Sequence, residues 1–281
     1  MNKNIQSTHQ NRTNHSKTYK IRHGHFPYQI AIPSYKNANL LRDTTLLLLK
    51  IYTIPSSKIT LFVSNVDDYD NYKKSIPPNL YGTIILLGEY SSIYNSISDY
   101  YPIGTCIVYC DDSIVGIIDY KKSNDEFVES PLRSLLYLIQ QGFNECCKHS
   151  SSFWGIYPIP TGHMKISVST NLQYCCGSLW GCINPGTEQL HLTQSTNDKE
   201  DYERSILYYL KDKKVIRMNN FCCLLSTKKV IYRPSTSLDG IYKLKKLYPT
   251  FITILPHKNK SMVHISLKDR SSDVSGNTTL V

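Results

Sequence analysis

Four short runs of β-branched and aromatic residues, separated by segments with helical character, constrain the fold more than any other feature of this sequence. They occupy residues 28–32, 59–63, 83–87 and 105–114. Because helical segments lie between consecutive strands, the connections are crossovers, which are right-handed and join parallel strands. The order therefore predicts an α/β fold with a mostly parallel twisted sheet and helices on both faces.

Two adjacent carboxylates, Asp111 and Asp112, stand near the end of the fourth run. In an open α/β sheet, ligands bind in the crevice at the carboxyl ends of the strands. Neighbouring carboxylates repel each other unless a cation or hydrogen-bond donors hold them, and oxygen ligands suit Mg²⁺ or Mn²⁺ bound with a diphosphate. An Asp-rich turn after a buried strand is the simpler alternative. The sequence has no Gly-x-Gly-x-x-Gly or Walker loop, so we expect neither a dinucleotide cradle nor a P-loop.

The length of 281 residues and the apolar content of 41% suit a globular chain with a substantial core. We expect one α/β domain over residues 26–265, between a disordered basic tail (residues 1–25) and a flexible C-terminal tail (residues 266–281). No apolar run approaches the roughly 20 residues needed to cross a bilayer, and the N-terminus lacks the apolar core of a signal peptide. The sequence therefore predicts an intracellular protein, in the cytoplasm or nucleus, without membrane contact.

The net charge of +10 is concentrated at the two ends of the chain. Residues 205–281 carry 14 Lys and Arg against 4 Asp and Glu, and residues 1–26 carry 5 Lys and Arg and no acidic residue. This distribution suggests an anionic partner such as DNA, although a solvated basic surface explains it equally well. The basic and aromatic residues that could contact phosphates and stack on bases are Tyr208, Tyr209, Lys211, Lys213, Lys214, Arg217, Lys228, Lys229, Tyr232 and Arg233.

The C-terminal half combines one long helix with several shorter segments. Residues 132–148 have helical periodicity, and residues 154–158 and 172–183 are predicted strands. Gly177 and Gly181 lie in the second of these strands, where glycine indicates close backbone approach or a kink. Acidic residues at 198–203 open an amphipathic helix that runs to about residue 210, and short strands follow at 215–218 and 221–225.

Five stretches, taken in their order and spacing, resemble one known family. They are residues 30–36, 61–65, 109–114, 154–158 and 199–204. The pattern resembles the glycosyltransferases associated with base J synthesis and with TET/JBP oxygenases, which are GT-A-fold enzymes of kinetoplastids, phages and large DNA viruses. The resemblance covers residues 27–250 and rests on the order of the stretches, since no single one is specific. It implies a GT-A (Rossmann-like) fold and an origin in a large DNA virus.

The resemblance also implies an activity and a set of site residues. The activity is transfer of a sugar, typically glucose from UDP-glucose, to a hydroxyl, which in the best-known members belongs to a hydroxymethylated pyrimidine in DNA; a protein or glycan acceptor is compatible with the same fold. The residues that would contact the nucleotide are Pro33, Ser34, Tyr35, Lys36, Ser64, Asn65 and Asp111. Asp111 and Asp112 would hold Mn²⁺ or Mg²⁺ beside the diphosphate, and Asp201 would be the general base that takes the proton of the acceptor hydroxyl.

The sequence departs from the family pattern at three positions. Ser113 stands where the last carboxylate of the acidic triplet is usual, and a serine hydroxyl is a weaker ligand for a divalent ion. Residues 92–95 lack the Arg that generally precedes the Asn, and Asn37 stands where an Arg is frequent. These losses motivate one alternative to an active transferase, a degenerate GT-A domain that acts as a non-catalytic binding module. A separate alternative is a DNA-binding protein without sugar chemistry.

Overall fold

The structure is a computed structural model that describes residues 25–88, 92–123, 126–159, 166–175, 177–193, 199–226, 238–256 and 263–269. Its strands are β1 (Tyr28–Pro33), β2 (Ile59–Val63), β3 (Thr83–Leu86), β4 (Cys106–Cys110), β5 (Ile114–Ser123), β6 (Glu126–Pro131), β7 (Phe153–Tyr157), β8 (Val168–Ser169), β9 (Leu179–Ile183), β10 (Ile216–Leu225), β11 (Ile252–Pro256) and β12 (Val263–Leu267). Its helices are α1 (Ala38–Leu41), which continues through a π-helical turn (Arg42–Leu46) into α2 (Leu47–Ile51), then α3 (Val66–Ser75), α4 (Ile93–Tyr100), α5 (Leu135–His149), α6 (Glu200–Asp212) and α7 (Leu238–Leu247).

One large sheet runs through the protein. Its strand order is β3-β2-β1-β4-β9-β7-β10-β5-β6, with β8 paired to β10. The strands β3, β2, β1 and β4 pair in parallel, whereas β9, β5 and β8 run antiparallel to their neighbours. Most strands of the sheet therefore share one direction. This confirms the predicted α/β fold with a mostly parallel, Rossmann-like sheet.

Helices cover both faces of this sheet, as the alternation of side chains along its central strands requires. Ile30 and Ile32 of β1 face one core layer, in which the helices α2, α3 and α5 bury Leu49, Tyr72 and Phe143. Ala31, between them, faces the opposite layer, to which α4 and α6 contribute Ile97 and Tyr208. The strands β2 and β4 are buried along their whole length, because each is covered on both faces. Such strands have continuous apolar sequences, which is why they were predictable.

Gly181 in β9 marks a close approach, as the sequence predicted. A Cβ at this position would lie 2.5 Å from ring atoms of Trp154. Gly142 in α5 meets the same ring, and its Cβ would also lie 2.5 Å from it. The Trp154 side chain, which is 0% exposed, is therefore enclosed between two positions that exclude any side chain.

The C-terminal half differs from its prediction in several boundaries. The predicted strand over residues 172–183 is formed only as β9, and the two short strands predicted at 215–218 and 221–225 are one strand, β10, with a register shift between Met218 and Cys222. The hairpins β5–β6 and β11–β12 were not predicted. β12 runs to Leu267, into the segment predicted as a C-terminal tail; residues 270–281, and the predicted N-terminal tail up to residue 24, lie outside the described residues. In the described ranges, no helix combines the length and apolar character that a membrane span requires.

Candidate functional site

A cavity of about 200 Å³ opens at the carboxyl ends of β1 and β4. Its walls are formed by Pro33, Ser34, Tyr35, Asn37, Ile93, Tyr94, Tyr109, Cys110, Asp111, Asp112 and Gly177. The structure thus brings together five of the residues singled out from the sequence, in the crevice where open α/β sheets bind ligands. Four other predicted site residues are not among those that line it: Lys36, Ser64, Asn65 and Asp201.

The Asp112 carboxylate is buried and belongs to a hydrogen-bond network that joins β1 to α3. Its Oδ2 accepts from Ser34 Oγ at 2.5 Å and from Asn37 Nδ2 at 3.2 Å. Ser34 Oγ is also 2.6 Å from the Tyr72 hydroxyl, and burial raises the pKa of Tyr72 to about 12. Asn37 stands at the start of α1, where its side chain makes no capping hydrogen bond and its amide Nδ2 donates to Asp112.

The Asp111 side chain closes the turn that follows β4. Its Oδ1 accepts from the Ser113 backbone N at 2.9 Å and from Ser113 Oγ at 2.6 Å. Ser113 therefore contributes a hydroxyl donor to Asp111 at the position where the family resemblance leads one to expect a third carboxylate. The two predicted metal ligands, Asp111 and Asp112, therefore each have at least one carboxylate oxygen engaged within the protein.

The π-helical turn between α1 and α2 fixes the backbone of this acidic turn. Thr45 Oγ1 donates to the Asp111 carbonyl at 2.7 Å, and Thr44 Oγ1 donates to the Asp112 carbonyl at 2.9 Å. Thr45 Oγ1 also accepts from the Ile114 N–H at 2.9 Å. π-helical turns are concentrated at functional sites, and the adjacent threonines of this helix are the sequence signal that could have identified the contact.

Asp68, a buried residue of α3, connects the loops that follow β1 and β2. Its Oδ2 accepts from the Lys36 backbone N at 3.3 Å and from Asn65 Nδ2 at 3.0 Å. Asn65 in turn caps α3, because its Oδ1 accepts from the Asp68 backbone N at 2.8 Å. Lys36 has a left-handed φ of 55°, and its Nζ lies 4.9 Å from the Tyr35 ring centroid. Lys36 and Asn65 are therefore close to the cavity through this loop contact, and their predicted contacts with a nucleotide stay predictions.

Asp201 lies in the first turn of α6, directly behind the cavity wall. Its Oδ2 accepts from the Gly177 backbone N at 2.8 Å and from the Tyr174 hydroxyl at 3.3 Å. A Cβ at position 177 would lie 2.7 Å from Asp201 Oδ1, so a glycine is required for this approach. Since Gly177 lines the cavity, one residue separates the carboxylate from the space in which a ligand would bind.

Tyr94 and Tyr109 form an aromatic floor of the cavity, and both rings pack on Trp180. Tyr109 and Trp180 stack with centroids 3.8 Å apart and planes at 7°, and Tyr94 is tilted against both. The guanidinium of Arg204 lies on the far side, 4.1 Å from the Trp180 ring centroid. Burial lowers the pKa of Arg204, but the neighbouring carboxylates, above all Asp201, outweigh burial and raise it overall. The guanidinium therefore remains charged beneath the aromatic floor.

The described residues contain no group of three or more His, Cys, Asp or Glu side chains that could hold a metal ion. Mg²⁺ is commonly held by one or two carboxylates together with substrate phosphates, however. Asp111 is partly exposed at the cavity and fits this second arrangement, in which a diphosphate completes the coordination. The predicted metal pair stays a prediction.

Part of the predicted DNA-contacting segment is buried. Tyr208 is 3% exposed and stacks on Phe153 at 4.6 Å, and Arg217 is 7% exposed and donates to Asn219 and to the Tyr174 carbonyl. The predicted contacts of these two residues with DNA are therefore wrong, because tertiary packing encloses both side chains. Lys213 is exposed and Lys211 is hydrogen-bonded to Ser152 Oγ at the surface; Lys228, Lys229, Tyr232 and Arg233 lie outside the described residues.

Comparison with known proteins gives no family for this chain. No protein-family model matches it, and no curated protein matches it. Among solved structures, the crystal structure of S. aureus TarS 1-349 has a TM-score of 0.41 and 10% identity, and the match covers 69% of this chain and 59% of that one. The crystal structure of a mycobacterial protein also has a TM-score of 0.41, with 8% identity and coverage of 85% and 83%. The α/β assignment of this chain therefore rests on its own sheet order and helix layers.

Proposed function

We propose that this protein is a nucleotide-sugar-dependent glycosyltransferase that moves a sugar, glucose from UDP-glucose, to a hydroxyl group. The observation that carries the proposal is the shared cavity at the carboxyl ends of β1 and β4, which joins Tyr35 and Asp111 and has Asp201 behind its wall. Pockets that enclose whole small ligands measure about 300–1,000 Å³. The cavity, at about 200 Å³, fits the nucleoside part of such a donor, and the diphosphate and sugar extend through its open side.

The lining of the cavity is acidic, so binding a diphosphate there requires a cation. None of the residues known to line it is Lys or Arg, and two are carboxylates. A divalent cation held by Asp111, with Asp112 beside it, would supply the positive charge that stabilises the diphosphate as it leaves. Lys36, which is exposed beside Tyr35, would add a second positive charge near the opening.

Asp201 is the proposed general base. As the acceptor oxygen bonds to the anomeric carbon, the bond between that carbon and the diphosphate breaks, UDP leaves, and the hydroxyl proton passes to the Asp201 carboxylate. The side chain is 23% exposed and lies next to Gly177 of the cavity wall, which supports this role.

The acceptor we propose is the hydroxyl of a hydroxymethylated pyrimidine in DNA. The basic C-terminal region, including Lys213 and Lys214, would contact the phosphates. The test is mass spectrometry of hydroxymethylated DNA incubated with the protein, UDP-glucose and Mn²⁺. Sugar transfer to protein or glycan, with none to DNA, would eliminate the DNA acceptor and keep the transferase.

Calorimetry with UDP and UDP-glucose, with and without Mn²⁺, tests donor binding directly. We expect binding that strengthens with Mn²⁺ and is weakened by Asp111→Asn, because Asp111 is the partly exposed carboxylate of the cavity. An exposed carboxylate of α7 that does not line the cavity, Asp239, provides the control variant Asp239→Asn. Equal affinity in the wild type and Asp111→Asn would contradict the assigned donor site.

A non-catalytic binding module is the second candidate, and one observation favours it. Asp111 Oδ1 is engaged by Ser113, and Asp112 Oδ2 by Ser34 and Asn37, so both carboxylates serve the internal structure of the site. This candidate predicts that UDP binds independently of Mn²⁺ and that UDP-glucose is neither hydrolysed nor transferred. Release of UDP that depends on Mn²⁺ excludes it.

A further inference from the structure

Arg204 is a buried cation with an unusual set of neighbours. It is 1% exposed, and its Nη2 donates to Asp201 Oδ1 at 2.5 Å. Its guanidinium is also held against two aromatic rings, 4.1 Å from the Trp180 centroid and 5.2 Å from the Tyr94 centroid. A charge inside a protein core is tolerated when it is paired, and Asp201 provides the paired charge.

We propose that Arg204 is a positioning residue for Asp201, an inference that rests on the proposed transferase function. Arg204 holds one carboxylate oxygen, while the Gly177 N–H and the Tyr174 hydroxyl hold the other. Both oxygens of the carboxylate are thus fixed from opposite sides. The orientation of Asp201 at the cavity wall is therefore set by three donors, of which Arg204 is the charged one.

Hydrogen bonding alone does not explain the position of the Arg204 guanidinium, as its other two nitrogens show. Within the described residues, Nε and Nη1 have no hydrogen-bond partner. Arg204 lines a small cavity of about 20 Å³ together with Tyr94, Tyr109 and Trp180, which is enough space for one water, since that takes about 10–15 Å³. The rings and Asp201, rather than a full set of acceptors, determine where the guanidinium lies.

The same rings separate Arg204 from a bound donor. Tyr94 and Tyr109 line both the small cavity and the larger, more open one, so they stand between the guanidinium and the ligand space. Arg204 is not among the residues that line the open cavity. Its effect on the reaction is therefore transmitted through Asp201, which makes it a positioning residue rather than a catalytic one.

The test compares Arg204→Met and Arg204→Lys with the wild type in hydrolysis of UDP-glucose, where water replaces the acceptor and UDP and glucose are released. Misplacement of a catalytic group by about 1 Å can lower the rate by about a hundredfold, so we expect Arg204→Met to lower kcat by about that factor. We expect the KM for UDP-glucose and the Kd for UDP to be unchanged. Arg204→Lys should restore part of kcat, because it keeps the charge but loses the planar contact with both rings.

Arg42→Met is the matched control, because Arg42 pairs with Asp43 at 2.7 Å on the surface and should leave kcat unchanged. Circular dichroism verifies that each variant is folded; if Arg204→Met is not, Arg204→Lys provides the same comparison of kcat with KM. A fall in kcat no larger than that of Arg42→Met, or a matching loss of UDP affinity, overturns the proposal.

Hydrogen exchange at the Gly177 amide separates this proposal from the proposed function. Loss of Arg204 should release Asp201 and thereby speed exchange of this amide by about tenfold, the effect of losing one hydrogen bond of ordinary strength. Unchanged exchange refutes the positioning role whether or not the protein is active. A wild type that neither binds UDP nor hydrolyses UDP-glucose refutes the transferase function, and the exchange measurement still decides what Arg204 does.

Discussion

The substitution Gly181→Ala tests the packing of the sheet against α5. Its Cβ would lie 2.5 Å from the Trp154 ring, and the ring cannot retreat because Gly142 meets it at the same distance. Overpacking of a core costs about 1–3 kcal/mol, and with both faces of the ring closed we expect the upper end, about 3 kcal/mol. In a chain of this size each kcal/mol lowers Tm by about 2–4 °C, which gives a fall of about 6–12 °C. Thermal denaturation measures the fall in Tm, and urea denaturation measures the loss of unfolding free energy.

Gly116→Ala is the matched control within the same sheet. The added Cβ would be 3.5 Å from Leu224 Cδ1, an ordinary van der Waals contact. We therefore expect a change of less than about 1 kcal/mol, of either sign. Combining Gly181→Ala with Trp154→Phe should recover part of the stability lost by the first change. Equal stability of the Gly181→Ala and Gly116→Ala proteins would refute the argument that Trp154 is enclosed.

Three further predictions concern the loops around the cavity. Ser34→Ala removes a donor to buried Asp112 and should cost about 1–3 kcal/mol in urea denaturation; no loss would mean that the network joining β1 to α3 adds nothing to stability. Asn65→Ala should cost about 1 kcal/mol more than Asn65→Ser, because serine keeps a capping oxygen for α3 and both variants lack the amide that donates to Asp68; equal losses would exclude capping. Burial raises the pKa of Tyr72 from 10.0 to about 12, so its contribution to the unfolding free energy is complete below pH 10 and decreases as pH rises towards 12. Tyr72→Phe should flatten this decrease, and an unchanged slope would contradict the assignment.

The strands that frame the cavity were predictable for a simple reason. β1, β2 and β4 are covered on both faces, so their sequences are continuous apolar runs that end in polar loops. The hairpin β5–β6 was not predicted, because Asp119, Lys121 and Lys122 interrupt its apolar residues. The strand β5 of this hairpin also pairs with β10, which lies about a hundred residues further along the chain, so its formation depends on a distant segment.

The site was predictable in its location but not in its internal contacts. Adjacent carboxylates after a buried strand indicated the position of Asp111 and Asp112, because the ends of parallel strands gather at one edge. That Asn37 donates to Asp112 rather than capping α1 depends on a separation of 75 residues. The contact of Arg204 with Trp180 is likewise non-local, and local sequence patterns carry no information about such pairs.

The two threonine hydroxyls of the π-helical turn bind main-chain oxygens of the acidic turn, not its carboxylates. Every residue type supplies the same carbonyl, so these two contacts do not depend on the side chains at positions 111 and 112. Exchange of those two residues would therefore remove the carboxylate contacts with Ser113, Ser34 and Asn37 but leave both threonine contacts with the main chain in place.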